Sequence, residues 1–136
     1  MTTEYAKPLP APSELTQPYW DATKRHELVI QRCKACAKYF FYPRELCPNC
    51  HSLSYEWAPI SGRGRVYSFT SPRDPAHPAF RESIPYIYAI IQLEEGPRMI
   101  SNIIDCPFEE CQVDMPVQAV FDDVADDITL VKFRRV

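Results

Sequence analysis

Glycine is scarce in this 136-residue chain, with three residues against fourteen prolines. With 12% aromatic residues as well, such a composition favours strands and proline-stiffened turns over long helices. Long apolar runs are missing: none approaches the roughly 18 residues that a membrane helix needs. The start, Met1-Thr2-Thr3-Glu4-Tyr5, lacks the basic-then-apolar pattern of a secretion signal, so a cytoplasmic protein is expected. Repeats and low-complexity segments are absent. So is a net basic charge. The formal charge of −3 argues against nucleic acid as the main partner, because phosphate binding calls for a basic footprint.

What is present is ordinary for a folded protein. Apolar residues make up 46% and charged residues 24%, which excludes a disordered chain or a coiled coil. The length suits one domain or two small ones. The charge is uneven: residues 1–104 carry 12 basic and 10 acidic side chains, residues 105–136 carry 3 and 8. The densest basic stretch holds Lys24, Arg25, Arg32, Lys34, Lys38 and Arg44 against Glu27. It reads either as a solvated face or as a surface for a small anionic partner or an acidic protein.

Along the chain, residues 1–13 with Pro8, Pro10 and Pro12 read as an extended tail. A short helix follows, capped by Thr16 or Gln17, with Pro18 at its first position and its end near His26. Leu28 to Arg32 is a strand entering Cys33, and Ser54 to Trp57 is a strand leaving the cysteine region. Ser61-Gly62-Arg63-Gly64 reads as a turn in which two glycines supply unusual backbone angles. Five strands then fall at about 65–71, 86–93, 98–104, 117–121 and 128–133, with Glu94-Glu95-Gly96-Pro97 as a hairpin turn. Five short antiparallel strands predict a small closed barrel of the OB type. The fold class is mainly β: a helix and a small cysteine-bearing unit over 14–58, then a five-stranded OB-fold over 59–136. Residues 72–85, with Pro75 and Pro78, form a loop long enough to be functional, and 105–114 is the other long connection.

Six cysteines without a secretion signal point to metal before disulfides. Cys33-Lys34-Ala35-Cys36 and Cys47-Pro48-Asn49-Cys50 form two C-x₂-C turns separated by ten residues. Each turn aims two thiolates at one centre, and the returning chain closes a tetrahedron. Four soft ligands with no open position make a structural site. Zinc is the default occupant, and iron is the alternative for the same tetrathiolate. A redox dithiol is the weaker reading. Ala37 and His51 stand where such knuckles usually place glycine, and His51 is read as lying outside the ligand set. Cys106 and Cys111 read as packing residues, with a disulfide or second metal as the alternative.

Catalytic machinery is hard to assemble from these residues. Cys106 and Cys111 have no histidine nearby in sequence, and His26 at a helix end has a dipole contact as its simpler role. Ser71, Asp74 and His77 share one loop, and side chains on one loop rarely form a triad's geometry. Tyr39, Phe40, Phe41 and Tyr42 are more telling: four consecutive aromatics in a short metal loop cannot all face inward. Those that do not would form a patch suited to a protein partner.

The ordered series Pro18-Tyr19-Trp20, Leu28 to Cys33 and Cys36, Pro43-Arg44, Cys47-Pro48-x-Cys50, Ser61 to Gly64, Pro85-Tyr86, Leu93 to Gly96 with Arg98, Met115-Pro116-Val117 and Phe121 resembles the DUF35 family. The resemblance covers about residues 14–135. Ala37, His51 and Asp114 depart from it, since the family usually has glycine there. It implies a rubredoxin-like zinc ribbon joined to an OB-fold. It also implies a non-catalytic accessory subunit of a thiolase-superfamily complex, a thiolase, acyltransferase or aldolase acting on acyl-CoA. On that reading the partner interface would be the helix and ribbon, through Tyr19, Trp20, Tyr39, Phe40, Phe41 and Tyr42. Arg63, Arg65 and Arg73 are candidates for the CoA phosphates by charge and loop position, with solvated surface arginines as the plainer account. Two alternatives remain. A nucleic-acid-binding ribbon and OB module would use aromatics such as Tyr67 and Phe69 for stacking. A tetrathiolate iron electron carrier would be coloured.

Overall fold

The computed structural model describes residues 7–73, 78–80 and 86–136. Asp74 and His77, and with them the candidate triad, lie outside the described residues.

The N-terminal part is a helix on a small sheet. Helix α1 spans Gln17–Lys24, with Thr16 as N-cap. Pro18 therefore sits at the second helical position, not the first, where it still forfeits no intrahelical bond. Strands β1 (Val29–Cys33), β2 (Tyr39–Phe40) and β3 (Tyr55–Pro59) form an antiparallel sheet in the order β2-β1-β3. Helix α1 buries Tyr19, Ala22 and Thr23 and packs on β1 and on the last strand of the barrel, which ties the two parts together.

The remaining strands are β4 (Arg63–Thr70), β5 (Ile87–Leu93), β6 (Arg98–Ile104), β7 (Pro116–Asp123) and β8 (Thr129–Arg135). They close into a barrel in the order β4-β5-β6-β8-β7. Short 3₁₀ turns lie at Pro78–Phe80 and Phe108–Glu110. The barrel is not wholly antiparallel as expected: β6 and β8 pair in parallel. The order forces this. With β4-β5-β6 antiparallel in turn, and β7 antiparallel to both β4 and β8, strands β6 and β8 must run the same way. Alternation sends Val66, Ile91, Leu93, Val117 and Phe133 inward, each 2% exposed or less. Such burial contributes about 1.5–3 kcal/mol per large side chain.

The segment Ser61 to Gly64 corrects the sequence reading. Gly62 does turn the chain at φ +76°, but Gly64 lies within β4 with ordinary backbone angles. Its role is close approach: a Cβ there would stand 2.6 Å from the Gln92 carbonyl oxygen.

Candidate metal centre and an arginine-lined cleft

Strand β1 runs directly into the first cysteine turn, and the two turns are built alike. The Cys33 N–H donates to Lys38 O and the Ala37 N–H to Cys33 O, both at 2.9 Å. The second turn repeats this with Cys47 N–H to Ser52 O at 3.0 Å and His51 N–H to Cys47 O at 2.9 Å. Ala37 and His51 hold the same place in each turn, and both adopt the left-handed backbone, φ 64° and 66°. The glycine geometry is thus kept without glycine, at a cost of about 1–2 kcal/mol per residue. Asp114 does the same at φ 69°.

The four sulfur atoms of Cys33, Cys36, Cys47 and Cys50 lie within 4.8 Å of one another. Cys33 and Cys50 sulfurs are 3.5 Å apart, Cys36 and Cys47 sulfurs 3.6 Å. A zinc ion about 2.3 Å from four sulfurs requires edges near ~3.8 Å, so the set fits a tetrahedral ion. Backbone amides prepare the thiolates: Ala35 and Cys36 N–H point at Cys33 Sγ, and Asn49 N–H at Cys47 Sγ, at 3.3–3.4 Å. The Cys36 N–H is the main reason the Cys33 thiol is held below its ordinary value. The Lys38 N–H does most to bring Cys36 to about 6. His51 is not a member of the cluster. Cys33 and Cys47 are buried with Phe40, packed by Tyr55 and Cys36.

The six interface aromatics do not form one surface. Tyr19 belongs to the main core and Phe40 to the ribbon core, 8% and 5% exposed. Tyr39 lies beside Arg32, whose guanidinium is 5.5 Å from its ring. Trp20, Phe41 and Tyr42 do come together, lining a groove of about 340 Å³ with Met99 and Ile100. Tyr42 Oη accepts the Ile100 N–H at 2.9 Å, tying the ribbon loop to β6.

The arginine candidates also divide. Arg63 and Arg65 line a cleft of about 920 Å³ on the outside of the barrel, with Gln92, Gln118, Arg134 and Arg135. Arg73 is elsewhere, 5.9 Å from the Phe108 ring in a cleft of about 350 Å³ shared with Cys106. Cys111 is buried in the main core and Cys106 packs against it, as the packing reading expects. Burial, then the neighbouring Cys106, pushes the Cys111 thiol up. Arg134 escaped the sequence reading. The signal was the alternation of β8, which puts Arg134 outward and Phe133 inward. Its neighbours, however, depend on a register that only the fold supplies. His26 is turned to the Asp123 carboxylate.

Residues 20–56 match the family model described as ChsH2, rubredoxin-like zinc ribbon domain. Residues 57–122 match ChsH2, C-terminal OB-fold domain. A DUF35 domain-containing scaffold protein of Methanocaldococcus jannaschii is 38% identical over 109 residues, 76% of this chain and 74% of the relative. The benzoylsuccinyl-CoA thiolase subunit BbsA of Thauera aromatica is 29% identical, covering 94% of this chain and 84% of its own length. The chain spans only 40% of a longer relative, the "Probable enoyl-CoA hydratase alpha subunit" of Thermomonospora curvata, at 34% identity. Among solved structures, a chain of the Ltp2-ChsH2(DUF35) aldolase superposes with TM-score 0.83 and 33% identity, over 93% of this chain and 98% of that one. Two cysteine knuckles on a small sheet, an OB barrel beside them and relatives that share both place this chain in the DUF35 family.

Proposed function

We propose that this chain is a non-catalytic, zinc-binding accessory subunit of a thiolase-superfamily complex, a thiolase, acyltransferase or aldolase acting on acyl-CoA. The observation that carries the reading is the likeness of ribbon and barrel together to a chain of the Ltp2-ChsH2(DUF35) aldolase, over 98% of that chain. Relatives named as scaffold proteins and as a thiolase subunit support it.

The chemistry of the metal centre agrees. Four thiolates fill a tetrahedral zinc and leave no position for substrate, so the ion would hold the ribbon's shape. The ribbon unit, 14–58, is the proposed partner-binding part, through Trp20, Tyr39, Phe41 and Tyr42. The barrel, 59–136, is proposed to face acyl-CoA, with Arg63 and Arg65 toward its phosphates. Arg73, in its separate cleft, drops out of that set.

Affinity purification of the tagged protein from its own cells, with co-purifying chains identified by mass spectrometry, tests this. A stoichiometric thiolase-like chain is expected, and its recovery should fall with Trp20→Ala and Tyr42→Ala. Recovery of nucleic-acid machinery that survives nuclease and moderate salt would replace this reading with the nucleic-acid module.

A further inference from the structure

Arg63, Arg65 and Arg134 line one cleft on the barrel's outer face. In the sheet register Arg63 of β4 lies opposite Gln118 of β7, and Gln118 lies opposite Arg134 of β8. Arg65, two residues along β4, lies opposite Pro116 on one side and Gln92 on the other. Alternation points Arg63, Arg65 and Arg134 outward, since Gly64 and Phe133 between or beside them are buried. Among the described residues none of the three has a carboxylate within ion-pair distance. Arg135, the fourth arginine of the cleft, is committed to Glu110 at 2.8 Å. Glu94 and Asp105 line the same cleft, and Glu94 accepts the Ser61 hydroxyl.

Like charges gathered on one sheet face destabilise a fold. This chain is net acidic, with eighteen acidic side chains, yet among the described residues none of these three arginines is ion-paired. The cleft, about 920 Å³, has the size of a site for a cofactor-sized ligand. Planar guanidinium forks suit phosphate oxygens. The Gln92 carboxamide between the strands is already engaged by Gly96 O and Arg98, and Gln118 Nε2 by Ser61 O, so the arginines are the groups left to meet a ligand.

We propose that Arg63, Arg65 and Arg134 form a binding site for the phosphate-bearing end of a nucleotide cofactor, with Arg134 as the residue that completes it. The proposal rests on the acyl-CoA reading above and deepens it. It places the phosphates on the β8-β7-β4 face and away from the cleft of Arg73, and it makes the site a property of this chain alone.

Calorimetric titration of the full chain with free coenzyme A, and with pantetheine, which has no phosphate, tests it. Coenzyme A is expected to bind, more weakly as salt rises, and pantetheine to show no comparable binding. Arg134→Gln should weaken coenzyme A about tenfold or more, and Arg73→Gln should leave it unchanged. All three arginines are exposed, so circular dichroism of the variants should match the parent. Equal affinity in Arg134→Gln, loss in Arg73→Gln, equal binding of pantetheine, or no binding of coenzyme A to the isolated chain would each overturn the proposal. The accessory-subunit reading stands or falls separately, on co-purification of a catalytic chain.

Discussion

His26 places Nε2 at 3.0 and 3.1 Å from the two carboxylate oxygens of Asp123, 97 residues further along the chain. The pair joins the end of α1 to the end of β7. The imidazole also stacks on Phe121, ring centroids 5.3 Å apart and planes 8° from parallel. The backbone of His26 is left-handed, φ 60°, because it closes α1: its N–H donates to Thr23 O at 2.9 Å and the Glu27 N–H to Ala22 O at 3.0 Å.

The hydroxyl of Thr129 donates to the same carboxylate, and it is the first cause that holds Asp123 below the ordinary carboxylate range. The hydrogen bond from His26 is the second. A lowered folded-state value means stability that is complete above the unfolded value, about 3.9, and lost as pH falls through the folded value. The measurement is the urea midpoint of the parent minus that of Asp123→Asn. The difference should shrink as pH falls below about 4. Taking a difference cancels metal release, which affects both proteins. A gap that persists unchanged to about pH 2.5 would show that the carboxylate charge contributes nothing.

Gln31 clamps the ribbon loop. It is 1% exposed; its Nε2 donates to Arg44 O at 2.6 Å and its Oε1 accepts the Arg44 N–H at 2.7 Å. Gln31→Ala leaves both backbone groups without that partner. The expected loss is about 2–3 kcal/mol, read from chemical denaturation of the metal-loaded protein. A loss under ~0.5 kcal/mol would mean that water replaces the clamp.

Ala37→Gly should stabilise the protein. Alanine at φ 64° carries the left-handed strain, and glycine removes it while adding freedom to the unfolded chain. The net gain expected is about 0.5–1 kcal/mol, seen as a higher thermal midpoint. His51→Gly, in the matching place of the other turn, should shift the midpoint in the same direction.

The knuckles were legible because everything that builds them is local. Each ligand pair is three residues apart, and the strand entering Cys33 is adjacent to it. The strand set was legible for a similar reason, since alternation is written along each strand. Pairing was not. That Arg134 stands across Gln118 from Arg63 depends on strands joined late in the chain, and the parallel β6–β8 contact follows from closure of the whole barrel. The aromatic run Tyr39 to Tyr42 shows the same limit. Its composition announced that some rings must face out. Which ones did so was decided by β2, which turned Phe40 into the ribbon core.

Gly64→Ala should destabilise by steric overlap with backbone. The added Cβ would meet Gln92 O at 2.6 Å and the Ile91 side chain at 2.9 Å, and a strand carbonyl cannot swing away as a flexible side chain can. The strands β4 and β5 would have to part. A loss of about 1–3 kcal/mol is expected in the urea midpoint, with spectra otherwise native. A neutral result would mean that the two strands relax here without cost.

Metal removal should divide the molecule. One zinc per chain is expected by elemental analysis, in a colourless sample; a coloured, iron-loaded sample would assign the site to iron instead. Cys47→Ser should lose the ion and His51→Ala should keep it, because four sulfurs already complete the tetrahedron. The ribbon core is small, with buried Cys33, Phe40 and Cys47 packed by Cys36 and Tyr55, so three of its five residues are the ligands themselves. Structural zinc contributes on the order of 10 kcal/mol to such segments. The barrel core around Ile91, Val117 and Phe133 is a separate cluster and does not contain a ligand. Hydrogen exchange after chelation should therefore show amide protection lost between Cys33 and Ser54 and retained at Ile91 and Phe133. Loss at both together would mean that Tyr19 of α1 and Leu28 ahead of β1, both in the barrel's core, couple the two parts into one cooperative unit.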